Sequence, residues 1–191
     1  MIYYNSRYLS SKLQISLAKW KRWAREFLPP DPLGGIQSGV TRQFNAKEAF
    51  KVYLAGHLVG ALKLTIPDAA KILNDLKPWL KSQGFFKIHA RPTLNGARNM
   101  PQHYLFIHPG NEQQFSYCIR TVIQTETVEN DISVKRTTFS ETHMGPSKSN
   151  GDEGHPVYGH VIAVTRLYTD FLNSVRPQIG KLGRDQGARK I

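Results

Sequence analysis

Four cations crowd one short stretch of this chain. In LAKWKRWAREFL, residues 17–28, Lys19, Lys21, Arg22 and Arg25 are interleaved with Leu17, Trp20, Trp23, Ala24, Phe27 and Leu28. At about 100° per residue the apolar side chains fall on one contiguous arc and the cations on the other, with Ala18 and a single acid, Glu26, among them. The chemistry on offer is electrostatic: several cations on one helix face can neutralise several phosphates of a polyanion. A face that merely keeps a protein solvated has the same composition, so the surrounding chain has to decide between the two. Arg42 and Lys47 add two more cations downstream.

Other chemistries find less support. Carboxylates are few and gather in the stretch from Glu126 to Asp131 and at Asp152-Glu153, where they read as solvated rather than as paired acid and base. No glycine-rich phosphate loop follows a strand: Gly34-Gly35 lies in a proline-rich turn, and the stretch from Gly145 to Gly154 precedes a helix without the lysine-hydroxyl pair at the right place. No catalytic residues and no enzyme activity are therefore expected. His103 and His108 flank one predicted strand, and His155 and His160 flank a predicted helix start. Neither pair has the i, i+4 placement or the acidic third ligand of an open metal site, so no metal or cofactor is expected. His57 reads as a packed residue. Cys118, the one cysteine, excludes an intramolecular disulfide and a multi-cysteine zinc site; in the alternating run FSYCIRTVI it reads as a small, buried or half-buried residue.

Length and charge narrow the class. With 191 residues, 40% of them hydrophobic, the chain suffices for one medium domain or two small ones with a real core. A formal net charge of +12 attracts DNA, RNA or an anionic membrane surface. No apolar run approaches the roughly 18 to 20 residues that span a bilayer, and MIYYNSRY lacks the pattern of a signal peptide. The expectation is a cytoplasmic, nucleoid-associated protein without membrane contact.

The elements that must position the basic helix can be read in order. Asn5 caps a first helix carrying Tyr8, Leu9 and Leu13; the chain turns at Gln14 and Ile15, and Ser16 caps the basic helix. Pro29, Pro30 and Pro32 with Gly34 and Gly35 stop it near Leu28. The segment from Ile36 to Phe44 reads as a short hairpin or wing, with Arg42 its cation. Asn45 and Glu48 form a capping box for a helix from Ala46, with Phe50, Tyr53, Leu54, Leu58 and Ala61 on its apolar face. Thr65, with Pro67 in the first turn, starts another helix that Pro78 or Gly84 ends.

Residues 4–77 in this order resemble the winged helix-turn-helix DNA-binding domain of the mercury-resistance-regulator (MerR) family. The resemblance is carried by Leu9 and Leu13, the Ile15-Ser16 turn, the Trp20-Lys21-Arg22-Trp23 core, the Leu28-Pro29-Pro30 exit, the Gly39 to Phe44 wing and the terminal LKLTIPDAAKIL. It implies a recognition helix in the major groove, with Lys21, Arg22 and Arg25 on bases and phosphates and Arg42 on the wing gripping phosphate. Lys47 would help fix the register, and Lys19 would be peripheral. It also implies a homodimer on a two-fold operator. Arg22 stands where that family usually has tyrosine, Ala24 where an acid is common and Phe27 near the usual glycine.

Residues 78–191 do not continue into that family's long coiled-coil helix. A loop, ARPTLNGARNMPQ, precedes three strands: His103 to His108, a second with Phe115, Tyr117, Ile119 and Ile123, and a third with Ile132, Val134 and Phe139 beyond a turn from Glu129 to Asp131. GPSKSNGDEGHP reads as a linker. A helix follows from Val157 through Val161, Val164, Leu167, Tyr168, Phe171, Leu172 and Val175, its apolar face covering the sheet or pairing with a second copy. The tail from 179 to 191 reads as a basic arm. The expected fold is α+β: a mostly helical winged helix-turn-helix at 1–84, then a small antiparallel sheet module with a C-terminal amphipathic helix at 85–178. The expected function is a DNA-binding transcription regulator, with double-stranded DNA as partner, a homodimer through the C-terminal module, and an effector or protein partner of unspecified kind. Two alternatives stand beside it: an architectural or excisionase-like protein that bends DNA, and a C-terminal ligand- or protein-interaction module using a sheet face of Tyr104, Phe106, Tyr117 and Ile119. RNA in place of DNA stays open because the charge is generic.

Overall fold

In a computed structural model, residues 3–31, 42–86, 101–110, 114–129, 132–145 and 158–175 are described. Two asparagines start the helical half in the same way. Strands β1 (Tyr3–Asn5) and β2 (Gln43–Asn45) pair antiparallel with Tyr4 opposite Phe44, and each runs directly into a helix, α1 (Ser6–Lys12) and α3 (Ala46–Gly60). The Asn5 carboxamide accepts the Tyr8 N–H at 2.8 Å. Asn45 accepts the Glu48 N–H at 2.9 Å while its own N–H donates to the Glu48 carboxylate at 3.1 Å, which completes the capping box. The two-stranded ribbon thereby fixes where both helices begin. Strand β1 escaped the sequence reading because three residues are too few to display an alternation.

Helix α1 ends in a turn through Gln14, whose φ of 55° lies in the left-handed region. Ser16 then caps α2 (Leu17–Phe27), accepting the Lys19 N–H at 3.3 Å. Leu28 leaves the helix in extended backbone, as a residue preceding proline does. Trp20, Ala24, Phe27 and Leu28 are buried. The Trp20 indole meets Phe44 edge-on at 5.7 Å, and the Trp23 indole lies over Gly56 of α3, where an added Cβ would overlap the ring atoms Cε3 and Cζ3.

Thr65 caps α4 (Ile66–Ser82), accepting the Asp68 N–H at 3.2 Å, with Pro67 in the first turn. Of the two expected stops, Gly84 is the one used. The helix passes through Pro78 despite the missing amide, because the next two residues, Trp79 and Leu80, are buried in the core and hold the last turn in place. It closes with the Phe85 N–H on the Leu80 carbonyl at 3.1 Å and Gly84 at φ +81°.

Strands β3 (Gln102–Pro109), β4 (Phe115–Glu129), β5 (Ile132–Met144) and β6 (His160–Ala163) form one antiparallel sheet in the order β5-β4-β3-β6. Its inner face carries Leu105, Ile107, Tyr117, Ile119 and Ile162, all buried. Helix α5 (Val164–Val175) covers that face and also packs on α3. The helix expected from Val157 therefore starts only at Val164. Val161 and Ile162 instead form an edge strand opposite Phe106 and Leu105, with Ile162 turned inward and Val161 outward. A period of three to four residues does not distinguish such a short β-branched strand from the turn of helix that follows it.

The α+β class holds, and the boundary drawn at residue 84 is not a break in the packing. Phe85 is fully buried between Phe50, Trp79, His103 and Tyr168, and Phe50 also meets Phe171 at 5.4 Å. The Tyr117 hydroxyl donates to Asp75 of α4 at 2.7 Å, and the Tyr8 hydroxyl donates to the Val175 carbonyl at 3.2 Å. One hydrophobic core thus serves the helices and the sheet. The wing up to Thr41, most of the loop and linker, and the basic tail lie outside the described residues. Among the described residues no helix is long and apolar enough to cross a membrane.

The Trp23–Gly56 contact gives a test in which two effects compete. Alanine in a helix interior gains about 0.5–1 kcal/mol over glycine, whereas overpacking costs about 1–3 kcal/mol. Gly56→Ala is expected to lose about 1–2 kcal/mol in urea unfolding. A variant more stable than the parent would mean that Trp23 does not lie on Gly56.

Candidate functional site

The buried side of α2 determines what its other side presents. With Trp20, Ala24 and Phe27 in the core, Lys19, Lys21, Arg22 and Arg25 are all exposed, and none of the four forms an ion pair among the described residues. Four uncompensated cations on three turns of helix repel one another and favour a polyanion that takes up their charge.

Arg42 is placed differently. Its guanidinium donates to the Pro29 carbonyl at 3.0 Å and lies 5.5 Å from the centre of the Phe44 ring, so it ties the exit of α2 to the start of β2. Lys47, exposed in the first turn of α3, sits 5.6 Å from the Phe86 ring. Its neighbours Lys51 and Lys77 were not singled out in the sequence. Partial burial, then the charges of Lys77 and Lys47, hold the Lys51 ammonium below the usual lysine value. Three ammonium groups from α3 and α4 thus share one surface patch, a convergence across two helices that no local spacing reveals.

The outer face of the sheet mixes polar and aromatic side chains. The register places Cys118 opposite His143 and Arg120 opposite Glu141, with Tyr104 and Phe106 on the neighbouring strand of the same face. Tyr117 and Ile119, expected beside Tyr104 and Phe106, point the other way and are buried against the helices, because side chains alternate along a strand. Arg120 lies between the rings of Phe106 and Phe139, at 5.5 and 5.2 Å, and pairs with Glu141. The donor atoms of Cys118, Glu141 and His143 all lie within 4.8 Å of one another. Among the described residues these three are able to hold a metal ion, and none of them was chosen as a ligand from the sequence.

A shallow cavity of about 240 Å³ between α3, β6 and α5 is lined by apolar groups with His57, Arg166 and Asp170 among them. It falls below the roughly 300 Å³ at which small-molecule sites begin. His57 packs against Tyr53 at 4.8 Å between ring centres, in line with its reading as a packed residue. His103 is buried against Trp79 and Phe85, with Nδ1 3.0 Å from the Thr121 hydroxyl.

Compared with protein-family models, with curated proteins and with solved structures, the chain shows no match.

The buried His103 and the half-buried His57 predict a pH response. Desolvation holds His103 below the ordinary imidazole value, and it does the same for His57 against smaller opposing effects of the Tyr53 carbonyl and Asp170. As pH falls through about 6.5 the unfolded chain takes up these protons while the folded chain does not, so folding stability declines with acidification until the lowered folded values are passed. Melting temperature is expected to fall between about pH 7.5 and about pH 5.5, and less steeply in His103→Gln. Equal slopes for parent and variant would contradict the assignment to His103.

Proposed function

We propose that this protein is a DNA-binding transcription regulator whose helix α2 enters the major groove of double-stranded DNA. The observation that carries this is the two-sidedness of α2: one face is locked into the core by Trp20, Ala24 and Phe27, and the other presents Lys19, Lys21, Arg22 and Arg25 without acidic partners among the described residues. A helix of this width fits the major groove, where arginine and lysine read guanine edges bidentately and neighbouring cations hold phosphate. The short α1, the turn at Gln14 and the capped α2 supply the helix-turn-helix frame that such a docking uses.

Within this reading Lys21, Arg22 and Arg25 carry the base and phosphate contacts and Lys19 lies at the edge. Arg42 acts by way of the Pro29 carbonyl, holding the α2 exit while its other N–H groups face the backbone of the DNA. Lys47 with Lys51 and Lys77 forms a phosphate anchor, since a bound anion would relieve their mutual repulsion. A homodimer on a two-fold operator, with an effector acting through the sheet module, completes the proposal.

The test is a footprint on DNA fragments selected by the purified protein, repeated across salt concentrations. Arg22→Ala combined with Arg25→Ala is expected to erase the site-specific footprint. Each lost phosphate contact is also expected to flatten the log affinity versus log salt slope by about 0.9. An unchanged footprint in that double variant would sink the assignment of α2.

A further inference from the structure

We propose that Cys118, Glu141 and His143, on the outer face of the sheet, form a binding site for a thiophilic divalent cation of the Zn²⁺ class. The inference is independent of DNA binding. A thiolate, an imidazole and a carboxylate are the three ligand types that zinc accepts, and three protein ligands leave its fourth position open.

The geometry follows from strand pairing. Cys118 on β4 lies directly across from His143 on β5, and Glu141, two residues before His143, points to the same face. The three donor atoms lie within 4.8 Å of one another. Tetrahedral zinc at its usual bond lengths holds its ligand atoms roughly 3.5 Å apart, so side-chain rotations of about 1 Å close the site without backbone movement. Its ligands are graded in exposure: Cys118 is half-buried, whereas His143 is exposed and free to swing inward.

The surroundings orient the carboxylate. The Arg120 guanidinium contacts Glu141 Oε1 twice, through Nε at 2.8 Å and Nη2 at 2.7 Å, and is itself held between Phe106 and Phe139. This leaves Oε2 directed toward His143 Nε2, 3.8 Å away. An oriented carboxylate of this kind is a usual support around a metal. Arg120 also makes the site selective. Its positive charge opposes a cation held by charge alone, such as Ca²⁺ or Mg²⁺, and leaves the advantage to an ion that bonds sulfur and nitrogen. On binding, the Cys118 thiol gives its proton to solvent and the sulfur bonds the metal.

The test uses the full chain and Co²⁺ alone, a spectroscopic stand-in for Zn²⁺, under reducing conditions without added thiol. The chain has a single cysteine, so an intense thiolate-to-cobalt charge-transfer band can come only from Cys118. One Co²⁺ per chain, that band, the visible absorption of tetrahedral cobalt, and loss of both on adding Zn²⁺ are expected. Cys118→Ser should remove the band while leaving the metal-free far-UV spectrum unchanged. His143→Ala and Glu141→Gln should each weaken Co²⁺ binding by more than the roughly 10- to 100-fold that loss of a partner supporting a ligand costs. No band in the parent, a band that survives in both of those variants, or one Co²⁺ per two chains with doubled mass would each overturn the proposal.

Discussion

The seating of two indoles fixes everything that α2 presents. Trp20 goes edge-on to Phe44, and Trp23 spreads over the bare backbone of Gly56. Together these contacts allow the helix a single rotational setting. A turn of one residue, about 100°, would bring a cation to the core, and burying an unpaired charge costs more than the indole contacts could return. The cations of α2 do nothing to hold the helix in place and repel one another. Their display is a consequence of apolar burial on the other side. Arg42 adds to the constraint by bonding the Pro29 carbonyl where α2 ends.

The same logic of shared burial joins the two halves of the molecule. Phe50 of α3, Phe85 and Tyr168 and Phe171 of α5 interlock, with ring centres 5.0 to 6.3 Å apart, most of them edge-on or tilted as aromatic pairs prefer. Two hydroxyl bonds, Tyr117 to Asp75 and Tyr8 to the Val175 carbonyl, cross the same junction. Thr165 stitches the start of α5 to β3, accepting the His103 N–H and donating to the Pro101 carbonyl, each at 3.0 Å. A joint with this much buried aromatic surface behaves as part of a core rather than as a linker between domains. The sheet is therefore held at a set orientation to the helices.

The two faces of that sheet divide its work. The inner face is apolar because it closes the core. The outer face, free of that demand, carries Cys118, Arg120, Glu141 and His143 among Tyr104, Phe106 and Phe139. Strand alternation separates the two sets cleanly, so the polar cluster does not weaken the packing beneath it.

The helical half was largely legible because its signals are local. Asn5, Ser16, Asn45 and Thr65 each cap the helix that follows, as their side-chain chemistry and the residues three positions on require, and the two arcs of α2 follow from its period alone. What escaped had no local signature. Strand β1 exists only because β2 lies beside it, and β6 is a strand only because Leu105 and Phe106 lie opposite Ile162 and Val161. The assignment of Tyr117 and Ile119 to the exposed face failed because alternation says that neighbours differ, not which one faces inward. By itself, then, the sequence determined the starts of α1 to α4, the α+β class and the basic face of α2, all set by interactions within a few residues. Only the tertiary structure decided the single core around Phe85, the lysine patch of Lys47, Lys51 and Lys77, and the meeting of Cys118 with Glu141 and His143. Each of these joins residues far apart in the chain, and the register that brings them together is set by burial on the opposite side.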